Sequence, residues 1–131
     1  MSDKIKVFIV DDNKMGQVML AKMLKESSDQ IDIVGESSTA SGAIFMLEDD
    51  MPDIIMVKLN IPGDMSSVDA LVQIRKSCPD TYIVLCPMPQ DRAELDDYIS
   101  SGKADNFLAK PIQKPDINRL LTGYIERRGQ K

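Results

Sequence analysis

The sequence predicts a doubly wound α/β fold around one parallel sheet. Five apolar runs of strand length alternate with five amphipathic stretches, and the third run, "IIMV", is continuously apolar between Pro and Gly turn signals. Strict alternation is typical of parallel strands joined by right-handed helical crossovers. A continuous apolar run indicates a strand that is covered on both faces. Because no linker, repeat or low-complexity tract interrupts the pattern, we expect a single domain over residues 1–131.

The strands are predicted from apolar runs bounded by turn-forming residues. The first is "KIKVFIV", the second "IDIVGES", and the third follows Pro52. The fourth is "TYIVLC" and the fifth is "NFLAK".

The helices are predicted from apolar residues at helical spacing after each strand. The first is expected over residues 14–27 and the second over 39–49, while Pro79 and Gly102 end the third and fourth. The last carries two arginines at its negative end. We interpret most methionines as packing residues. The marker residues are Met15, Val18, Met19, Met23 and Leu24; Ala43, Ile44 and Leu47; Val68, Leu71, Val72 and Arg75; Leu95, Tyr98 and Ile99; and Ile117, Leu120, Leu121, Tyr124, Ile125, Arg127 and Arg128.

Composition restricts the function. Sixteen basic and 21 acidic residues give a net charge of -5, which argues against nucleic acid or an anionic membrane and favours a protein partner. No apolar run approaches the ~18 residues of a membrane span, and the charged start "MSDKIKV" predicts a cytoplasmic chain. Cys78 and Cys86 have no metal-ligand spacing and are interpreted as reduced thiols. The absence of histidine excludes a phosphohistidine or a histidine base within this chain.

Polar residues follow the predicted strands where ligands bind in open parallel sheets, beyond the carboxyl ends. These are Asp11 and Asp12 after the first strand, Lys58 at the end of the third, Cys86 at the end of the fourth, and Lys110 before Pro111. The acidic pair has a second interpretation, because Asp readily caps a following helix. Cys86 is expected to be an inert buried thiol rather than a redox sensor.

Three segments, "FIVDDN", "PDIIMVKLNIPG" and "FLAKP", resemble the receiver domain of bacterial response regulators, and the resemblance covers essentially the whole chain. It implies a flavodoxin-like doubly wound (βα)5 three-layer sandwich with strand order 2-1-3-4-5. It also implies that Asp11 and Asp12 hold Mg²⁺, that the third strand ends in a phosphoacceptor aspartate, and that Lys110 binds the phosphoryl group. A cis Lys110–Pro111 peptide bond is a further expectation from the family.

The chain departs from this family pattern around the pocket. The phosphoacceptor position falls on Lys58, whose amine cannot form an acyl phosphate. Cys86 and Pro87 replace a hydroxyl residue and a small residue, which leaves a weak donor and no N–H at the next position. The loops "IPGDMSSVDAL" and "SGKADNFLAKP" are each one residue longer than the family pattern. We therefore predict an atypical receiver, not an enzyme, with no cofactor and no metal unless Asp11 and Asp12 still bind Mg²⁺.

Two other functions stay open from the sequence. One is a genuine phosphoreceiver, blocked at Lys58 or phosphorylated on Asp53 or Asp64, or a receiver that is part of a larger regulator. The other is an unrelated α/β enzyme or nucleotide binder, although carboxylates in "DDNKMG" would repel a phosphate.

The resemblance also implies a partner surface. In the family it is commonly formed by the last two helices and the fifth strand between them, which here would present Arg92, Glu94, Arg119 and Tyr124. Phe107 matches the position of the aromatic switch residue in the fifth strand, and its ring fits either the core or the rim. A homodimer also stays open.

Overall fold

The computed structural model describes residues 4–49 and 51–129, and it contains the predicted alternation of strands and helices. Five strands form one sheet in the order β2-β1-β3-β4-β5, and each neighbouring pair is parallel. This is the flavodoxin-like doubly wound fold that the family resemblance implies. The elements are β1 Ile5–Val10, α1 Lys14–Ser27, β2 Ile31–Ser37, α2 Ala40–Leu47, β3 Ile54–Lys58, α3 Ser67–Ser77, β4 Tyr82–Cys86, α4 Arg92–Ser100, β5 Asn106–Phe107 and α5 Lys114–Gly129.

Each face of the sheet has its own apolar core, because successive side chains of a strand point in opposite directions. Val7 and Ile9 of β1 pack with buried residues of α1 and α5, such as Leu24 and Ile117. Their neighbours in β1 pack on the other face with residues of α2, α3 and α4. This second core includes Phe8, Val10, Leu47, Leu71 and Leu95. The helices therefore cover both faces, which gives the three layers that the family resemblance implies.

Several apolar residues that mark the helices lie outside these cores. In α1, Met15, Val18 and Met19 are exposed, while Leu20 and Leu24 are buried. The sheet covers only one stripe of each helix, and the apolar residues of α1 occupy two adjacent stripes. The interpretation of these two methionines as packing residues is therefore wrong. The other exposed marker residues are Val68 and Val72 of α3, where Ala70, Leu71 and Ile74 are buried instead, and Ile125 of α5.

Two predicted elements are shorter than expected. The second helix covers Ala40–Leu47 rather than residues 39–49, because Thr39 is its N-cap and accepts a hydrogen bond from the Gly42 N–H. The fifth strand covers only Asn106–Phe107. The Leu108 N–H still donates to the Leu85 carbonyl over 2.7 Å, and the chain then reaches the Lys110–Pro111 peptide bond, which is cis as predicted.

No helix within residues 4–49 and 51–129 has the length and apolar character needed to cross a lipid bilayer.

Candidate functional site

The carboxyl edge of the sheet brings four of the predicted pocket residues into two ion pairs. The Lys58 Nζ atom lies 2.7 Å from Asp12 Oδ1, and the Lys110 Nζ atom lies 2.6 Å from Asp11 Oδ2. The parallel order places β3 directly beside β1, so that residues 46 positions apart in the chain meet at one strand exit. The ammonium of Lys58 therefore faces the second of the two consecutive aspartates.

The Lys58–Asp12 pair is partly open to solvent. The side chains are 18% and 31% exposed, respectively. The hydrogen bond from Lys58 lowers the pKa of the Asp12 carboxyl below its usual range, although partial burial opposes this change. The Asp12 carboxyl is thus ionised at neutral pH, and the Lys58 Nζ atom lies beside an oxygen that a metal ion would need.

The second ion pair, between Lys110 and Asp11, has a more buried carboxylate than the Lys58–Asp12 pair. Asp11 is buried, and its second carboxylate oxygen accepts a hydrogen bond from the Asn13 N–H over 2.9 Å. The Gln17 side-chain amide donates to the Asp11 backbone carbonyl over 2.7 Å. A Cβ atom at Gly16 would lie 2.9 Å from Asp11 Oδ2, so a larger residue at this position would displace the carboxylate. Asp11 is therefore held by α1 and by Lys110 together.

The alternative interpretation of the acidic pair as a helix cap is wrong. Asn13 is the N-cap of α1, and its side-chain oxygen accepts the Gly16 N–H over 3.1 Å. Asp11 supports the cap only through its bond to the Asn13 N–H. The two aspartates are consequently available to the lysines.

Cys86 and Pro87 form the buried floor of this edge. Cys86 pairs with Lys58 in the β3–β4 register, and burial raises the pKa of its thiol to about 12 despite the nearby Lys110 ammonium. The Pro87 carbonyl accepts the Lys110 N–H over 3.0 Å, which ties the β4 exit to the segment after β5. This arrangement agrees with an inert thiol, because a protonated buried sulfur is a poor nucleophile.

The residues expected on the partner surface are only partly exposed. Phe107 is 39% exposed and lines a groove of about 270 Å³ beside Asp116 and Arg119, so its ring lies at the rim. Tyr124, in contrast, is buried and packs edge-on against Tyr82 with ring centroids 5.5 Å apart. The prediction that Tyr124 belongs to the partner surface is therefore wrong, because its position in α5 faces the sheet.

The sequence did not predict a hydrogen-bonded bridge between the β3 exit and the start of α4. The Asn60 side-chain amide donates to Asp91 Oδ1 over 2.8 Å and to Glu94 Oε1 over 2.6 Å. Asp91 is buried and also accepts the Met88 N–H over 3.0 Å. Ser67 Oγ accepts the backbone N–H of Asn60 over 2.9 Å. This network joins the loop after β3 to the turn before α4.

One local signal could have pointed to Asn60. Its φ is +56°, a left-handed conformation that Asn adopts more readily than other non-glycine residues. An Asn between a strand exit and "IPG" is therefore a candidate for a left-handed turn. The partners of its side chain lie more than 30 positions away and could not be read from this pattern.

The two alternative phosphoacceptors have other contacts. Asp53 directly precedes β3 and so lies at the amino ends of the strands, at the far end of the sheet from Lys58. Its carboxylate accepts the Lys6 N–H over 2.9 Å. Asp64 accepts the Ala40 N–H over 2.5 Å and binds Ser41 at the start of α2. Burial opposes its ionisation, but these N–H groups outweigh that effect and lower the pKa of the Asp64 carboxyl.

The donor set at this edge does not fit Mg²⁺. Magnesium in proteins is bound through carboxylates that neutralise its charge, together with water. Here two carboxylates face two ammonium groups, so that the local charge is already balanced. Within the part of the chain that the structure describes, no three His, Cys, Asp or Glu residues are grouped as metal ligands.

The sequence of this chain is similar to those of known proteins. The sequence pattern of the family described as "Response regulator receiver domain" matches residues 7–122. The response regulator protein VraR of Staphylococcus saprophyticus is 32% identical over 117 residues, which cover 89% of this chain and 54% of VraR. This chain thus spans about half the length of that relative.

Two further similarities extend over nearly the whole of both matched chains. The chemotaxis protein CheY of Listeria monocytogenes is 28% identical over 89% of this chain and 95% of its own length. The crystal structure of the response regulatory domain of mrkE from Klebsiella pneumoniae superposes with a TM-score of 0.81 at 24% identity, over 97% of this chain and 100% of that one. This structural similarity supports the fold.

Proposed function

The chain belongs to the response regulator receiver family of two-component signalling, and we propose that it is an atypical member that acts without phosphorylation. In this proposal Lys58 occupies the position of the phosphoacceptor aspartate. The chain then serves as a protein-interaction module rather than an enzyme, and needs no metal or other cofactor. We further propose that it works in the cytoplasm.

The Lys58–Asp12 ion pair is the observation that carries this proposal. An acyl phosphate forms on a carboxylate, and the side chain at the exit of β3 is an ammonium 2.7 Å from Asp12. Its charge compensates Asp12 in the absence of a metal ion. Lys110, which would contact a phosphoryl group in the family, is paired with Asp11 at 2.6 Å.

The surrounding loops support a conformation that does not depend on a phosphoryl group. Cys86 offers a thiol, which is a weaker hydrogen-bond donor than a hydroxyl, and Pro87 offers no N–H. The Asn60 amide already connects the β3 exit to Asp91 and Glu94 through hydrogen bonds to two carboxylates. Hydrogen bonds to ionised groups are stronger than neutral ones, so this bridge favours one position of α4.

The surface proposed for partners consists of α4, β5 and α5. Arg92 and Arg119 are exposed, Glu94 is partly exposed, and Phe107 lines the groove beside α5. A large aromatic side chain at the edge of a groove, with arginine nearby, has the composition typical of an interface centre. A kinase, an effector domain or a second copy of this chain are the partners we consider.

The alternative is a phosphoreceiver that uses another carboxylate. Asp64 binds the start of α2, and Asp53 lies a whole strand away from Lys110, roughly 16 Å for five residues of β3. Neither position is favoured by the geometry.

The proposal is tested with purified protein, acetyl phosphate and Mg²⁺, followed by intact mass spectrometry. We expect no added phosphoryl group, whereas an ordinary receiver treated in parallel gains one. A hydroxylamine-sensitive adduct would overturn the proposal. In that event, Asp53→Asn and Asp64→Asn identify the acceptor, because only the substitution at the true site abolishes the adduct.

A further inference from the structure

One stretch of the chain carries acidic residues and no basic ones. Residues 26–57 contain eight Asp or Glu and no Lys or Arg, whereas the rest of the chain has 16 basic and 13 acidic residues. This stretch includes the edge strand β2 and helix α2. Two of its acids are paired with lysines of other segments, Glu36 with Lys14 and Glu26 with Lys114.

An apolar surface lies within the same stretch. Phe45, in the second half of α2, is 75% exposed, and Met46 and Met51 are 42% and 60% exposed. Glu48 and Asp49, which follow the helix, are exposed as well. Among residues 4–49 and 51–129, no ion pair involves Glu48 or Asp49. These five residues are called the α2 face below.

Glu48 and Asp49 lie where they do not stabilise α2. The carboxyl end of a helix carries partial negative charge, and acidic side chains there are unfavourable for the helix. α2 itself contains no charged residue that could compensate them. An exposed Phe is likewise unfavourable in water, while clustered apolar side chains rimmed by charge are typical of interaction sites.

We propose that the α2 face docks a basic amphipathic segment of a partner protein. Its apolar side chains would cover Phe45 and Met46, and its Lys or Arg side chains would approach Glu48 and Asp49. Nucleic acid and anionic lipid are repelled by this edge, and two copies meeting through the same face would place like charges together. This surface is separate from the α4, β5 and α5 surface and does not depend on the proposed function.

A designed peptide provides the test. The full chain, labelled with ¹⁵N, is titrated with a helical peptide of about 15 residues made of Leu and Lys at amphipathic spacing, and with a matched Leu and Glu peptide. We expect amide shifts centred on residues 44–51 with the Lys peptide alone. The double variant Glu48→Lys with Asp49→Lys should weaken binding at least about tenfold.

Two more variants separate specific docking from general attraction. Phe45→Ser should also weaken binding several-fold, and because Phe45 is exposed the variant should fold, which its spectrum verifies directly. Asp96→Lys with Asp97→Lys, exposed on α4, applies the same charge change elsewhere and should have little effect. Equal loss in both charge variants, or no loss in Phe45→Ser, would overturn the proposal. Concentration-dependent shifts of residues 44–51 without peptide would overturn it in favour of a second copy.

Discussion

The ammonium of Lys58 should control whether this pocket accepts Mg²⁺, and substitutions at this position give a graded test. Lys58→Met removes the positive charge while keeping a long side chain, and Lys58→Asp replaces it with a carboxylate. Because Lys58 Nζ lies 2.7 Å from Asp12 Oδ1, an ion bound to that oxygen at about 2.1 Å would be at most about 4.8 Å from the ammonium.

The size of the effect follows from this distance. A divalent ion at about 4.8 Å from a unit positive charge is repelled by about 1.7 kcal/mol even with the dielectric constant of water, which corresponds to about 20-fold in affinity. Lys58→Met should therefore bind Mg²⁺ at least about 20-fold more tightly than the parent chain, and Lys58→Asp at least about 400-fold more tightly. Both are lower bounds, because partial burial reduces screening.

Calorimetric titration with Mg²⁺ at low ionic strength measures this series. Lys114→Met, which removes an exposed lysine paired with Glu26 near the carboxyl end of α1, is the charge-matched control and should change the affinity little. Asp12→Asn added to Lys58→Asp should remove the gain, which would assign the binding to this pocket. Equal affinities for the parent and Lys58→Met, or tight binding by the parent, would refute the electrostatic reasoning.

Three other predictions concern the surroundings of the site. Asn60→Asp should speed amide hydrogen exchange in the turn before α4 by about tenfold, because it removes the amide that donates to two carboxylates. The control Asn118→Asp, at an exposed position of α5, should leave that rate unchanged. Equal exchange rates in Asn60→Asp and the parent chain would contradict the bridge. Asp105→Asn should cost about 2 kcal/mol of unfolding free energy at pH 7, measured by urea denaturation. Burial alone would raise the pKa of the Asp105 carboxyl, but hydrogen bonds from the Ile83 N–H and from the side chains of Arg75 and Arg127 lower it overall. The carboxylate therefore stabilises the fold above its unfolded pKa of about 4, and parent and variant should converge as the pH falls below that value. A constant difference would contradict this assignment. Burial raises the pKa of the Cys86 thiol to about 12, so Cys86 should resist Ellman's reagent at pH 8 in the folded chain and react only after unfolding. Rapid reaction of Cys86 in the folded chain would show that the thiol is accessible.

The contacts at the site that the sequence could not predict are hydrogen bonds between residues far apart in the chain. The exits of β1, β3 and β5 were predicted to converge, but not which lysine meets which aspartate. Lys58 reaches Asp12 because β3 lies beside β1, and Lys110 reaches Asp11 because the segment after β5 is tied to the β4 exit and brings Lys110 beside Gly16 of α1. The Asn60 bridge is of the same kind, since its carboxylate partners lie in the turn before α4 and in the first turn of α4.

The amino-acid sequence was enough to predict the alternation of strands and helices, the buried character of β3 and the charges at the strand exits. These properties depend on local periodicity and on residue identity, which a single chain displays directly. The exposure of Met15 and Val18, the burial of Tyr124 and the position of Phe107 at the rim follow only from the folded structure. Periodicity shows that a helix has an apolar stripe, but the sheet covers only one side of each helix. Which residues are buried depends on how each helix is rotated against the strands, and that rotation is set by packing between segments far apart in the chain.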